Sequence, residues 1–304
     1  MKERIIIDTD PGVDDALAIA FGIKANLPIE SICTVYGNST LENCSSNVLT
    51  ILEFINSDIP VYRGADKPMK GLSRLAESHG DNGLGGYSIE TTKKISEISA
   101  IDHYQDILSR SSKNEISIIA IGPTTNIGFL VEKSPELVKK AKKIIVMGGV
   151  FGEKGNVTPY AEFNVINDPY ALDSLLKLSD AKVIIVPANI CRKVTFNNDV
   201  FNQIKNSGLA SGLSKISQVY IDYYSKDIEF GGFDGGVMYD LLAVALEVDP
   251  SLFTFQKLKV NTETEDVDKF GLTKIVSGEP NCEVVTGVDV EKLKKLYISV
   301  MNRK

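Results

Sequence analysis

Nine residues near the start of the chain, Asp8-Thr9-Asp10-Pro11-Gly12-Val13-Asp14-Asp15-Ala16, carry the densest chemistry in the sequence. Four carboxylates fall within eight residues. They follow a short β-rich run, Arg4–Asp8, and open a helical pattern over Asp14–Ala25. The aspartates therefore stand where a strand ends and a helix begins, and in open parallel sheets ligands bind at the carboxyl ends of strands. Helix capping accounts for one or two of these acids, not for four. Like charges this close raise one another's pKa or demand a cation. A donor set made only of oxygens suits a hard ion, Ca²⁺ or Mg²⁺, rather than Zn²⁺.

Polar residues recur where later strands should end. Tyr36-Gly37-Asn38 follows a strand over Glu30–Tyr36, and Ile121-Gly122-Pro123-Thr124-Thr125-Asn126 follows one over Ile116–Ile121. Met147-Gly148-Gly149 follows Lys143–Met147 and leads, through a long polar loop, to Asn156, Glu162, Asn164 and Asp168. Glycine and asparagine are ordinary turn residues, so each stretch alone says little. Together they bring amides and carboxylates to one edge of a sheet, as a polyol or sugar pocket beside a metal requires.

The elements that must position these groups alternate. Helices are expected over Thr40–Asn56, Ile101–Ser112, Asn126–Lys133, Glu136–Ala141 and Pro169–Leu178, with strands between them at Val61–Tyr62 and Lys182–Pro187. This pattern predicts an α/β fold: an open, mostly parallel, Rossmann-like sheet with helices on both faces. After Pro187 the pattern loosens into a C-terminal helical elaboration, with helices over 197–206, 211–227 and 239–248. Short strands near 253–260, 272–276 and 283–288 and a final helix over 289–301 follow. No repeat or linker divides the chain, so residues 1–304 read as one domain.

Composition narrows the function. The 304 residues are 43% hydrophobic and 24% charged with mean hydropathy near zero, which is ordinary globular composition. With 33 basic and 40 acidic residues the net charge is −7, so nucleic acid is not an expected partner. The apolar runs are too short for a membrane span, and the N-terminus does not read as a signal peptide. Cys33, Cys44, Cys191 and Cys282 lack metal-site spacing and read as reduced, mostly buried thiols of a cytoplasmic protein. No P-loop or Gly-x-Gly-x-x-Gly supports ATP or NAD binding. Of the two histidines, His79 lies in a Gly-rich loop and His103 reads as an ordinary surface helix residue. Asp234 reads as a turn acid, and Lys139, Lys140, Lys142 and Lys143 as a solvated helix end. Tyr223 and Tyr224 suit either core packing or contact with a ligand.

The block DTDPGVDDA resembles the signature of the inosine-uridine-preferring nucleoside hydrolase family. The resemblance continues through TVYGN at 34–38, HGDNGLGG at 79–86, IGPTTNIG at 121–128, GNVTPYAEFNVINDP at 155–169 and MYDLLA at 238–243. These blocks stand in family order and cover nearly the whole chain. The resemblance implies a Rossmann-like enzyme that cleaves the N-glycosidic bond of ribonucleosides in purine and pyrimidine salvage, with one Ca²⁺ per subunit. It implies a nucleoside as the partner and a homodimer or homotetramer as the assembly. Position by position, Asp10 would be general base and calcium ligand, joined at the metal by Asp15, Asp240 and the Ile121 carbonyl. Asp14 and Asn164 would hold the ribose 2′- and 3′-hydroxyls, with Asn38 beside the ribose and the attacking water. Asn156 and Glu162 would hold the 5′-hydroxyl, and His79 would lie near the base.

The chemistry agrees with those roles. Water attacks an oxocarbenium-like centre, as in glycoside hydrolysis, and an acidic pocket favours the developing positive charge. One position departs from the family: Tyr239 stands where many members have histidine before the last metal aspartate. A tyrosine, with pKa near 10, can donate a hydrogen bond to the leaving base but is a weaker acid than histidine. The chain has no Trp, so no Trp sandwich encloses the base. Two other readings differ in class. Asp8-Thr9-Asp10 also resembles the nucleophile of Mg²⁺-dependent, haloacid-dehalogenase-type phosphohydrolases, and Tyr239 admits a nucleoside- or ribose-binding protein without turnover.

Overall fold

Ile5, Ile6 and Ile7 give the first strand, β1 (Arg4–Thr9), no polar side, and it lies buried in the middle of a sheet. A strand covered on both faces marks parallel α/β architecture. A computed structural model describes residues 3–178, 180–227, 230 and 232–303. In it β2 (Ile29–Thr34), β3 (Val61–Arg63) and β4 (Ser96–Ser99) extend the sheet on one side of β1, all parallel. On the other side run β5 (Ile116–Ala120), β6 (Lys143–Met147) and β7 (Val183–Val186), also parallel. β8 (Thr195–Phe196) and β9 (Gly236–Val237) form a separate ribbon. The far edge is closed by β10 (Phe253–Thr262), β11 (Thr273–Val276) and β12 (Cys282–Val288). The sheet order is β11-β10-β12-β7-β6-β5-β1-β2-β3-β4, with β12 parallel to β7 and β10 antiparallel to both its neighbours.

The twelve described helices are α1 (Val13–Lys24), α2 (Leu41–Phe54), α3 (Ala100–Arg110), α4 (Thr125–Lys133), α5 (Pro135–Val138) and α6 (Phe163–Asn167), then α7 (Pro169–Lys177), α8 (Ala188–Cys191), α9 (Asn198–Phe201), α10 (Ser207–Ser225), α11 (Tyr239–Val248) and α12 (Val290–Met301). Alternate residues of β1 feed two cores. Ile5 and Ile7 pack with α1, α2, α11 and α12, while Ile6 packs with α3, α4 and α7. Each isoleucine buried in this way contributes about 1.5–3 kcal/mol. The chain lays β2, β3 and β4 on one side of β1 and then returns to lay β5 on the other. The crevice beyond the carboxyl ends of β1 and β5 is therefore a topological switch point, the usual ligand position in such sheets.

Two helices that start at this crevice are apolar around most of their surface. In α1 Val13 to Gly22 are all buried, and in α11 Tyr239 to Leu246 are all buried; the two pack against each other. None of the described helices is long and apolar enough to cross a membrane.

The structure differs from the sequence reading in several places. β4 was not expected, because Ser96–Ser99 is short, polar and at the edge of the sheet. The expected polar loop before Asn167 contains α6. The helix expected over 197–206 shortens to α9, and α10 begins at Ser207, where the Asn206 side chain accepts the Leu209 N–H. His103 is not a surface residue. It is buried, stacks on Tyr62 at 3.6 Å between ring centroids, and hydrogen-bonds Ser31 Oγ at 2.8 Å through Nε2. The lysines near 140 are a solvated end only in part, Lys139 and Lys142 keeping access to solvent. Lys140 reaches the Leu108 carbonyl, and Lys142 and Lys143 pair with Glu3 and Glu247. The four cysteines are free and buried.

Burial holds His103 below the ordinary histidine pKa. The folded protein thus resists a proton that the unfolded chain accepts near pH 6.5, so this site loses stability as pH falls through that value. His103→Phe keeps the stack without the titration. The stability difference between wild type and His103→Phe, from urea unfolding, is expected to shift in favour of the variant between pH 7.5 and pH 5.5. A difference independent of pH overturns this account.

Candidate active site

The carboxylate cluster is assembled from two helix starts. Asp14 and Asp15 occupy the first turn of α1 and Asp240 that of α11, where the positive ends of the helix dipoles favour negative charge. One oxygen from each of Asp14, Asp15 and Asp240 lies within 4.8 Å of the others. Asp15 is tied down by the Thr9 hydroxyl at 2.5 Å, the Gly12 N–H at 2.9 Å and Asn38 Nδ2 at 2.9 Å. Asp10 stands beside this trio, not within it. Its Oδ2 accepts the Asn38 N–H at 2.7 Å, and its Oδ1 is buried with no partner among the described residues.

Glycine makes room for Asp10. A Cβ at Gly37 would collide with Asp10 Oδ2, and one at Gly122 would stand 2.7 Å from Oδ1. Asp8, by contrast, serves the other face of the sheet. Its Oδ2 accepts Tyr104 Oη at 2.9 Å and Asn126 Nδ2 at 3.0 Å, which binds β1 to α3 and α4.

Burial pushes every acid of the cluster upward. Asp10 is raised well above its usual value by burial and then by the charge of Asp15. Asp14 rises to about 8 from burial and Asp15, and Asp240 rises through burial and the charges of Asp14, Asp15 and Asp10. Four carboxylates cannot all ionise here without a counter-charge. The close donor trio and the unpartnered Asp10 Oδ1 fit a hard divalent cation.

A cavity of about 360 Å³ opens above the cluster. Asp14, Asp240, Asn38, Ile121, Asn164, Asn156 and Glu162 line it. Asn164 Nδ2 donates to the Ile121 carbonyl at 3.0 Å and to the Met147 carbonyl at 3.2 Å. Asn156 Oδ1 accepts the Phe163 N–H at 2.9 Å. Glu162 caps α6 by accepting the N–H groups of Asn164 and Val165, and it also accepts that of Gly149 at 3.0 Å. Its burial lifts the carboxyl to about 7.

The lining also carries an aromatic group: His79, Tyr220, Tyr223, Tyr224 and Tyr239. His79 stacks on Tyr220 at 4.9 Å, and its Nδ1 accepts the Val13 N–H at 3.0 Å. That bond assigns the ring proton to Nε2, and burial lowers its pKa to about 3, so the ring is neutral. Tyr239 is a phenol that burial pushes up to about 12. Asp234 lies outside this lining, bonded to Asn197 Nδ2 at 3.1 Å.

The chain matches a known family over nearly its whole length. The model of the inosine-uridine preferring nucleoside hydrolase family fits residues 5–295. The chain belongs to this family. It is 35% identical over 276 residues to the probable uridine nucleosidase 1 of Oryza sativa subsp. japonica, covering 88% of this chain and 83% of that one. It is 32% identical over 313 residues to the non-specific ribonucleoside hydrolase RihC of Escherichia coli (strain K12 / DH10B), covering 99% of each. The solved structure of a plant nucleoside hydrolase, PpNRh1, superposes with a TM-score of 0.92 at 30% identity over 100% of both chains. The protein is thus a nucleoside hydrolase, an enzyme that cleaves the N-glycosidic bond of ribonucleosides.

Some of what holds this nucleoside hydrolase site was not visible in the sequence. Thr273, from β11, accepts the Val150 N–H at 3.1 Å and donates to the Val150 carbonyl at 2.9 Å, fixing the turn whose Gly149 N–H holds Glu162. Nothing in the sequence links residues 123 positions apart. Tyr36 Oη donates to the Asn167 carbonyl at 2.9 Å, and Asp168 accepts the Thr125 hydroxyl at 2.8 Å; both fasten the α6–α7 junction over the crevice.

Gly37→Ala tests the fit around Asp10. The added methyl displaces Asp10 Oδ2, and misplacement of a reacting group by about 1 Å costs on the order of 10²-fold. A drop of that size in kcat/KM for a ribonucleoside is expected, with a folded protein by circular dichroism. Activity within threefold of wild type shows that Asp10 needs no such placement.

Proposed function

We propose that this nucleoside hydrolase uses Asp10 as general base and holds one Ca²⁺ through Asp10, Asp15, Asp240 and the Ile121 carbonyl. The observation that carries this reading is the buried acid cluster, with three carboxylates sharing one small space and Asp10 Oδ1 left without a partner. Calcium is favoured over zinc by the all-oxygen donor set. A divalent ion there neutralises the cluster and makes a nearby water more acidic.

This chain's own residues do the rest. Asp10 Oδ1 takes the proton of the attacking water, while the Asn38 N–H on Oδ2 fixes the carboxylate plane. Asn38 Nδ2, on Asp15, keeps the same loop in register. Asp14 and Asn164 line the cavity, and the Asp14 carboxylate and Asn164 Oδ1 accept from the ribose 2′- and 3′-hydroxyls, the Asn164 Nδ2 being already engaged with backbone carbonyls. Asn156 and Glu162 face the 5′-hydroxyl; Glu162 Oε1, which accepts one N–H, keeps capacity for another donor. His79 and Tyr239 stand at the base. The acids of the cavity also favour positive charge on the ribose as the bond breaks. We further propose one domain over residues 1–304, action in the cytoplasm on salvaged nucleosides, and a homodimer or homotetramer.

Three measurements test this. Chelation of all divalent ions is expected to abolish release of reducing sugar and free base from uridine or inosine, with recovery on adding Ca²⁺. Full activity in metal-free protein overturns the metal. Asp10→Asn is expected to lower kcat by at least the ~10²–10⁴-fold typical of general-base loss. A change of only a few-fold makes Asp10 structural. A site built to bind a hydroxyl rejects substrates that lack it by factors up to ~10⁴. Deoxyuridine should therefore react far more slowly than uridine, and equal rates remove Asp14 and Asn164 from the diol.

A further inference from the structure

Every residue from Arg74 to His79 lines the cavity above the acid cluster. They end a stretch with little to hold it. Residues 71–75 and Glu77 are exposed, Leu72 at 92%, so no packed core fixes the segment. One end is tied by the Met69 N–H, which donates to Asp168 Oδ2 at 2.8 Å. The other is tied by His79, whose Nδ1 accepts the Val13 N–H. Among the described residues, the main chain between those two ties makes one hydrogen bond. In it the Arg74 N–H donates to Asn167 Oδ1 at 2.7 Å.

Asn167 is 2% exposed and bonds in three directions. Its Nδ2 donates to the Phe163 carbonyl at 3.1 Å, one turn back in α6, and its own carbonyl accepts Tyr36 Oη at 2.9 Å. Its Oδ1 alone reaches out to Arg74. An N–H in so exposed a stretch can bond water instead, so desolvation does not compel that third bond. What the bond does is fix where the segment runs. α6 is also the helix that carries Asn164 and that Glu162 caps. Asn167 thus joins two parts of one cavity lining, the helix with these polar side chains and the exposed segment that faces the same space.

We propose that Asn167 is a positioning residue for nucleoside binding: by holding the Arg74 N–H it keeps residues 74–78 in place as part of the cavity lining. The inference rests on the placing of the nucleoside in this cavity, as in the reading above. Asn167 itself touches no substrate. Without its amide the segment spends part of its time away from the cavity, and apparent affinity falls with the fraction of molecules whose lining is complete. A lining that contacts bound substrate and transition state alike changes KM more than kcat.

Asn167→Ala is expected to raise KM for uridine about five- to tenfold, the range that the net worth of one hydrogen bond supports, with kcat lowered no more than about threefold. Trypsin gives a readout independent of turnover, because Arg74–Leu75 is a cleavage site within the segment. Cleavage there in the native full chain, followed by mass spectrometry, is expected to be at least about fivefold faster in the variant, since a freed segment opens more often. If Asn167→Ala does not fold, Arg74→Pro, which deletes the same bond from the exposed side, is compared with Arg74→Ala, which keeps it. Arg74→Pro must then show the rise in KM over Arg74→Ala. An unchanged KM, an equal fall in kcat and kcat/KM, or unchanged cleavage after Arg74 overturns the proposal and leaves Asn167 a stop for α6. A wild-type enzyme that hydrolyses neither uridine nor inosine overturns the placing of the nucleoside as well, so the two failures are distinct.

Discussion

Asp10, Asp14, Asp15 and Asp240 lie buried together, and each makes the others harder to ionise. The surrounding fold counters that repulsion at close range. Two helix starts point their dipoles at the cluster, and the N–H groups of Gly12 and Asn38 bond its oxygens. Such help works only if the donors cannot move. α1 and α11 are therefore buried along most of their length and locked to one another, an arrangement suited to holding charge and poorly suited to flexing.

The cavity above the cluster divides into two chemistries. Its amides and carboxylates, Asn156, Glu162 and Asn164, are already engaged with backbone groups, which sets their orientation. Its aromatic residues form a run of contacting rings. Tyr220 meets His79 on one side and Tyr224 on the other, and Tyr224 meets Tyr239 at 6.1 Å. Flat rings accommodate bases of different size, whereas a directed hydrogen bond selects among them.

The fold class was legible because the apolar runs of β1, β5 and β6 and the helices between them have distinct periods. The DTDPGVDDA block was legible because so many acids cannot share a turn without a purpose. Two kinds of feature were not. His103 carries a polar side chain among Asp102, Tyr104 and Gln105, and only the tertiary contact with Tyr62 buries it. Thr273 acts across a long sequence separation, and a single sequence holds no trace of such a pairing. The separate tasks of Asp8 and Asp10, two positions apart, also required coordinates: one serves the α3–α4 side and the other the crevice.

The order of residues along the chain bears on how the enzyme is made. Asp10, Asp14 and Asp15 leave the ribosome early, in the strand and helix that start the sheet, but their fourth companion arrives at position 240. The Thr273 clamp on the Gly149 turn comes later still, and β12 must slot between β7 and β10 to bring it there. A nascent chain can therefore assemble the parallel centre of the sheet while its acid cluster is still open on one side. Asp240 and Thr273 follow the parallel centre of the sheet along the chain, so a partly synthesised chain that stops short of them lacks the complete acid cluster and the clamp on the Gly149 turn.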